Sequence, residues 1–125
     1  MSRHNILTHM AEHNVKYIYL GPVDNVLLKL ADPTSLGYMV MNSFQIVSHY
    51  ISKRNPEEKV GVHVTSNGAV KICEYTELAK GLAEMRDGQG ELVYGQGARA
   101  TMLVTREFVQ GLMDDPLVVE GVNRK

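Results

Sequence analysis

Asp24 stands just past an apolar run and a Gly21-Pro22 break. In open α/β sheets, ligands sit beyond the C-terminal ends of strands. A carboxylate there can hold Mg2+ against phosphate oxygens. The same position suits a turn aspartate whose oxygens accept from nearby backbone N–H groups, and position alone favours that simpler role. His9-Met10-Ala11-Glu12-His13 carries the H-x-x-E-H spacing of inverted zinc peptidases. On a helix, His9 and His13 share a face and can hold zinc. So short a pattern recurs by chance, and no further ligand on a downstream helix is evident, so a solvated helix face is the plainer reading.

Gly95-Gln96-Gly97 has the small residues of a phosphate-cradling turn. It joins two strand-like runs rather than a strand and a helix, which suits a tight turn better. Glu74 lies in a run of apolar and aromatic neighbours. An acid there is either exposed at a sheet edge or recruited to a ligand hydroxyl. Cys73 has no paired histidine pattern and reads as an inert thiol.

These residues need elements to position them. Residues 6–13 read as a helix closed by Asn14. Residues 15–20 read as a buried strand, followed by the Gly-Pro break and an apolar stretch over 26–30. Asp32-Pro33 is a helix start, a capping carboxylate before a proline in the first turn, with Leu36, Met39 and Val40 on one face. Residues 46–53 form a strand and 55–58 a polar turn. Val60, Val62 and Val64 alternate with Gly61, His63 and Thr65, the period of a strand. Asn67-Gly68 marks a two-residue hairpin into a returning strand over 69–75. Thr76 caps a predicted helix over 77–85. Strands over 92–94 and 101–104 flank the Gly95-Gln96-Gly97 turn, and Thr105 caps a helix over 106–113. Residues 117–122 are an apolar tail with no clear partner.

The chain has 125 residues, 44% hydrophobic and 22% charged, the balance of a globular domain with a real core. Its net charge of -1 offers no basic excess for nucleic acid. No stretch is long and apolar enough to span a bilayer, and the first ten residues lack a signal-peptide core. A single cysteine excludes an intrachain disulfide. The expectation is a cytoplasmic protein without nucleic-acid or membrane partners.

The run Val23-Asp24-Asn25-Val26-Leu27-Leu28-Lys29-Leu30-Ala31-Asp32-Pro33 closely resembles a signature of eukaryotic-type UDP-N-acetylglucosamine pyrophosphorylases. Asn55-Pro56-Glu57-Glu58-Lys59-Val60-Gly61-Val62, Cys73-Glu74-Tyr75-Thr76-Glu77-Leu78 and Gly90-Glu91-Leu92-Val93-Tyr94 agree at the same relative spacing. Linked motifs in one register, covering residues 6–113, are specific where a lone Asp-Asn pair is not. The resemblance implies an α/β fold, part of a Rossmann-like nucleotidyltransferase domain with a mixed sheet, flanking helices and a hairpin. It implies transfer of a uridylyl group from UTP to N-acetylglucosamine 1-phosphate, giving UDP-N-acetylglucosamine and pyrophosphate with Mg2+. It also implies that Asp24 holds the metal near the α-phosphate and that Pro22 lies beside the uridine and ribose. Gly61 and Glu74 then contact the sugar, the first through backbone and the second through hydroxyls.

Two departures accompany the resemblance. The family's Gly-rich loop, L-x-G-G-x-G-T-R, and the lysine after it do not occur in these residues. Ala98 stands where the family usually has an asparagine that binds the sugar's acetamido region, which leaves the identity of the sugar open. The expectation is one partial nucleotidyltransferase domain over residues 1–125, inactive alone. The alternative is a non-catalytic remnant that binds a sugar nucleotide or a protein.

Overall fold

The computed structural model describes residues 5–114, in two compact units. One contains residues 5–47 and 101–114, and the other is Ser48–Ala100. The expected apolar tail over 117–122 lies outside the described residues.

In the first unit, helix α1 (Asn5–Glu12) leads into strand β1 (Tyr17–Leu20). Asn14 ends the helix in the left-handed region, φ 56°. Val15 N donates to Met10 O at 2.8 Å and Asn14 N to Ala11 O at 3.0 Å, the paired bonds of a Schellman cap. Helix α2 (Pro33–Met41) starts where Asp32-Pro33 says it should. The Asp32 carboxylate accepts from Ser35 N at 3.1 Å and Ser35 Oγ at 2.7 Å, satisfying donors that helix geometry leaves orphaned. A second Schellman cap closes α2. Ser43 adopts φ 54° and Phe44 N reaches Met39 O at 3.0 Å. Of the predicted apolar face, Met39 is buried and Leu36 half-buried, but Val40 is exposed.

Strand β2 (Ile46–Ser52) and strand β5 (Gln96–Thr105) pair with each other. In the first unit β1 lies antiparallel to β5, from Tyr17 opposite Thr105 to Leu20 opposite Met102. The backbone of Thr105 also donates to Gln45 O at 2.9 Å. Held on both edges, this end of β5 buries Leu103 and Val104, which point to opposite faces. Each contributes roughly 1.5–3 kcal/mol by leaving water. Helix α4 (Arg106–Asp114) follows at once, capped by Thr105 Oγ1, which accepts from Phe108 N at 3.2 Å. Arg106 ties the helix start back to the entry of β1: its Nε donates to Val15 O at 3.0 Å and its backbone N to Lys16 O at 2.9 Å.

The second unit is built on the hairpin of strands β3 (Val62–Ser66) and β4 (Ala69–Cys73), in register from Val62 opposite Cys73 to Ser66 opposite Ala69. Asn67 and Gly68 take φ 52° and 77°, the two positive values of a type I′ turn, whose twist matches that of the strands. Val62 is fully buried and pairs with Gly97 of β5. The α/β character and the hairpin are as the sequence implied.

Three local expectations fail here. Residues 92–94 form no strand, only an isolated bridge from Leu92 to Arg86 before a turn. The helix over 77–85 shrinks to one turn, α3 (Lys80–Ala83). Glu74 O accepts from both Glu77 N at 2.9 Å and Leu78 N at 3.2 Å, so a turn occupies the place of the helix start. Gly95-Gln96-Gly97 is not a turn between strands, since β5 already begins at Gln96. Gly97 is there for close approach: a Cβ on it would lie 3.2 Å from both Ile51 O and Val60 Cγ1.

Candidate functional site

The loop after β1 presents Asp24. Leu28 packs over Gly21, its Cδ2 2.5 Å from where a Cβ would stand. Within this loop Asn25 makes the structural contact. Its Oδ1 accepts from Leu27 N at 3.1 Å, an Asx turn. Asp24 is exposed, and among the described residues no hydrogen bond or ion pair engages its carboxylate. The turn role that position alone favoured therefore belongs to its neighbour. Pro22 is half-buried. The side chains around Asp24 are apolar and open to solvent, Val23, Val26 and Leu27 among them.

In the second unit, three positions singled out by sequence converge. Gly61 O accepts from Ala98 N at 2.6 Å. On the other side of Gly61, a Cβ would meet Cys73 O at 3.3 Å and Glu74 Oε1 at 3.6 Å. Gly61 thus brings the Glu74 carboxylate and the Ala98 backbone to its two sides. Glu74 is exposed, and no described residue pairs with its carboxylate. Its backbone is fixed, because Glu74 N donates to Glu77 Oε2 at 3.3 Å. A free acceptor on a fixed backbone suits a ligand hydroxyl. A cleft of about 320 Å³ in the same unit, lined by Pro56, Lys59, Tyr75, Leu78 and Lys80, does not include Gly61 or Glu74.

The structure also places groups that sequence reasoning did not single out. Lys53 is buried, and its Nζ donates to Pro56 O at 3.3 Å. Glu58 Oε1 accepts from Arg54 N at 2.7 Å and Asn55 N at 3.2 Å, so the acid four residues on shapes the polar turn. Ser48 Oγ and His63 Nε2 lie 3.0 Å apart, but His63 Nδ1 is buried without a partner among the described residues. A serine nucleophile needs its histidine oriented by a third group at that nitrogen, so this pair is not built for catalysis. No spacing rule in the sequence points to a contact made between strands, as that of Ser48 with His63 is.

Asp24 fits Mg2+ in kind. It is a hard oxygen donor, and Mg2+ is commonly held by one or two carboxylates together with substrate phosphates. The only described group of three or more metal-binding side chains lies elsewhere, at His9, Glu12 and His13. Among the described residues, no helix is long and apolar enough to cross a membrane.

Known proteins resemble this chain along most of its length. The profile of the family described as UTP–glucose-1-phosphate uridylyltransferase matches residues 1–94. The human UDP-N-acetylhexosamine pyrophosphorylase-like protein 1 is 32% identical over 109 residues, which are 87% of this chain and 22% of that protein. UDP-N-acetylglucosamine diphosphorylase 2 of Arabidopsis thaliana is 40% identical over 107 residues, 83% of this chain and 21% of that protein. The crystal structure of the uridine diphosphate N-acetylglucosamine pyrophosphorylase from Trypanosoma brucei superposes with a TM-score of 0.81 at 31% identity, covering 87% of this chain and 20% of that one. The chain thus spans about a fifth of the length of the relatives it matches. With three quarters of its length inside the profile, the chain belongs to the UTP–glucose-1-phosphate uridylyltransferase family.

Proposed function

We propose that this chain forms part of the catalytic domain of a uridylyltransferase that joins UTP and N-acetylglucosamine 1-phosphate. The observation that carries the reading is the convergence of Gly61, Glu74 and Ala98 in one unit, in a chain of this family. In the reaction, a phosphate oxygen of the sugar phosphate attacks the α-phosphorus of UTP. The bond from that phosphorus to the bridging oxygen breaks, and pyrophosphate leaves with the electron pair. Catalysis of this kind is positioning and charge neutralisation.

Glu74 accepts from the sugar hydroxyls and sets the sugar's orientation. Gly61 keeps the surface beside it bare, so that the sugar can approach the backbone. Pro22 borders the nucleoside. Asp24 would hold Mg2+, which when bound neutralises charge on the phosphates. The Gly-rich loop whose amides cradle the nucleotide phosphates in the family does not occur in these 125 residues, so the chain by itself turns over nothing. The family's cytoplasmic setting is part of the same proposal.

A second reading, a non-catalytic module that binds a sugar nucleotide, is favoured by one residue, Ala98, whose methyl cannot hydrogen-bond an acetamido group. Calorimetry with UDP-N-acetylglucosamine and Mg2+, run beside a pyrophosphate-release assay, tests the sugar assignment and the dependence on the Gly-rich loop. The uridylyltransferase reading expects binding weakened by E74A, and no turnover by the chain alone. Affinity indifferent to E74A overturns the sugar assignment. Pyrophosphate release by the chain itself overturns its proposed dependence on the Gly-rich loop.

A further inference from the structure

The Schellman cap of α1 fixes His13 one turn beyond His9. His13 Nδ1 lies 2.9 Å from His9 O. A carbonyl oxygen only accepts, so Nδ1 carries the proton and Nε2 keeps its lone pair for a ligand. The two rings lie close, tilted by 50° with centroids 4.2 Å apart. Glu12 Oε2 comes within 3.9 Å of His9 Nδ1. One donor atom from each of the three residues falls within 4.8 Å of the others, and all three side chains are exposed.

We propose that His9, Glu12 and His13 form a surface site for a borderline divalent transition ion, zinc above all. Two imidazole nitrogens with one carboxylate suit Zn2+, Ni2+ or Cu2+ rather than Mg2+, which demands oxygen ligands. A tetrahedral zinc with bonds of about 2.0–2.1 Å sets its donor atoms about 3.4 Å apart. The present spread of 4.8 Å closes by rotation of exposed side chains, with no movement of the backbone. The bond from His13 Nδ1 to His9 O is the kind of outer contact that orients a metal-bound imidazole. The site lies in the last turn of α1, where the helix dipole favours positive charge. Three protein ligands leave a fourth position for water or an added ligand. Nothing here extends to peptide hydrolysis, because among the described residues no further ligand from a downstream helix joins the group. The site is separate from Asp24 in chemistry as well as sequence, since one selects a soft-to-borderline ion and the other a hard one.

The test is a zinc titration of the untagged chain in competition with a chromophoric chelator, with Co2+ as a spectroscopic substitute and circular dichroism to check that each variant is folded. The expected result is one ion per chain, with affinity reduced by about tenfold or more in H9A and in H13A, reduced less in E12Q, and unchanged in C73S. A millimolar excess of Mg2+ leaves it in place. Failure to retain one zinc per chain overturns the proposal. So does unchanged affinity in either histidine variant, or loss of binding in C73S.

Discussion

Glu74 Oε1 lies 3.6 Å from the point where a Cβ on Gly61 would sit. The absence of a side chain at Gly61 is therefore what leaves that face of the Glu74 carboxylate open. The same missing Cβ would stand 3.0 Å from Ile72 Cγ2 and 3.3 Å from Cys73 O. The second contact is with backbone and cannot rotate away. G61A is expected to destabilise the chain by about 1–3 kcal/mol, the usual range for overpacking, and to weaken sugar-nucleotide binding as well. Urea unfolding and ligand titration on the same variant measure the two effects. A G61A protein with unchanged stability and unchanged binding contradicts both.

Glu74 itself separates binding from folding. Its carboxylate is exposed and has no partner among the described residues. E74A is expected to shift stability by no more than about 0.5 kcal/mol. On the proposed assignment, it removes a charged acceptor from the sugar hydroxyls, worth about 1.5–3 kcal/mol, or roughly 10- to 100-fold in affinity. The affinity ratio for UDP-N-acetylglucosamine between wild type and E74A reads this directly, and a ratio near one rules the contact out.

The hairpin offers a sharp contrast between two adjacent residues. Gly68 holds φ 77°, where a Cβ is strained whatever space surrounds it, and Asn67 holds φ 52°. G68A is expected to lower stability by about 1 kcal/mol or more. N67G keeps the turn and is expected to be close to neutral. The difference in urea midpoint between the two variants is the measurement. G68A matching N67G would show that the type I′ turn is not populated.

Asp32 predicts an acid dependence of known sign. The Ser35 hydroxyl, then the Ser35 backbone N–H, hold its carboxyl below the ordinary value of 3.8. A carboxyl with a lowered folded pKa adds stability that is fully present above 3.8. That stability is lost as pH falls from there through the lowered folded value, since the unfolded chain takes up the proton first. D32N removes the ionisable group. The wild type is therefore expected to lose its advantage over D32N across that acid window and to keep it at neutral pH. Parallel urea midpoints between pH 2 and 6 check this, and a gap independent of pH sinks it.

Where backbone chemistry is local, the fold was legible in the sequence. Asp32-Pro33, Asn67-Gly68, Asn14 and Thr105 each announce a cap or turn through their own side chain or φ, and each appears as announced. Where the outcome depends on what packs across the chain, the reading failed. Leu78, Leu82 and Met85 have helical spacing, yet Leu82 and Met85 are exposed and only one helical turn forms. The periodicity had no apolar surface to bury against, and propensity alone does not hold so short a helix. Gly97 was read as a turn glycine because sequence does not say whether a glycine serves φ or proximity. The nearness of Ile51 O and Val60 decides for proximity. The meeting of Gly61, Glu74 and Ala98 rests on cross-strand register, which no local rule supplies. The resemblance named Gly61 and Glu74 for the sugar before the structure set them together.

Asp24 and Asn25 divide labour in one loop, and the division is testable. Asn25 Oδ1 holds Leu27 N at 3.1 Å, while the Asp24 carboxylate makes no hydrogen bond or ion pair among the described residues. A residue kept for structure and a residue kept for chemistry respond oppositely to removal. N25A deletes the Asx turn, so the loop after β1 is expected to exchange amide hydrogens faster, with a stability loss of about 0.5–1.5 kcal/mol for one hydrogen bond. D24A is expected to leave both loop exchange and the urea midpoint unchanged. On the proposed assignment it instead removes the Mg2+-dependent part of nucleotide affinity, the difference between titrations with and without the ion. Hydrogen exchange and paired titrations on the two variants read both arms. If D24A loosens the loop and N25A does not, Asp24 is the turn residue after all. If D24A leaves the Mg2+ increment intact, the metal is held elsewhere.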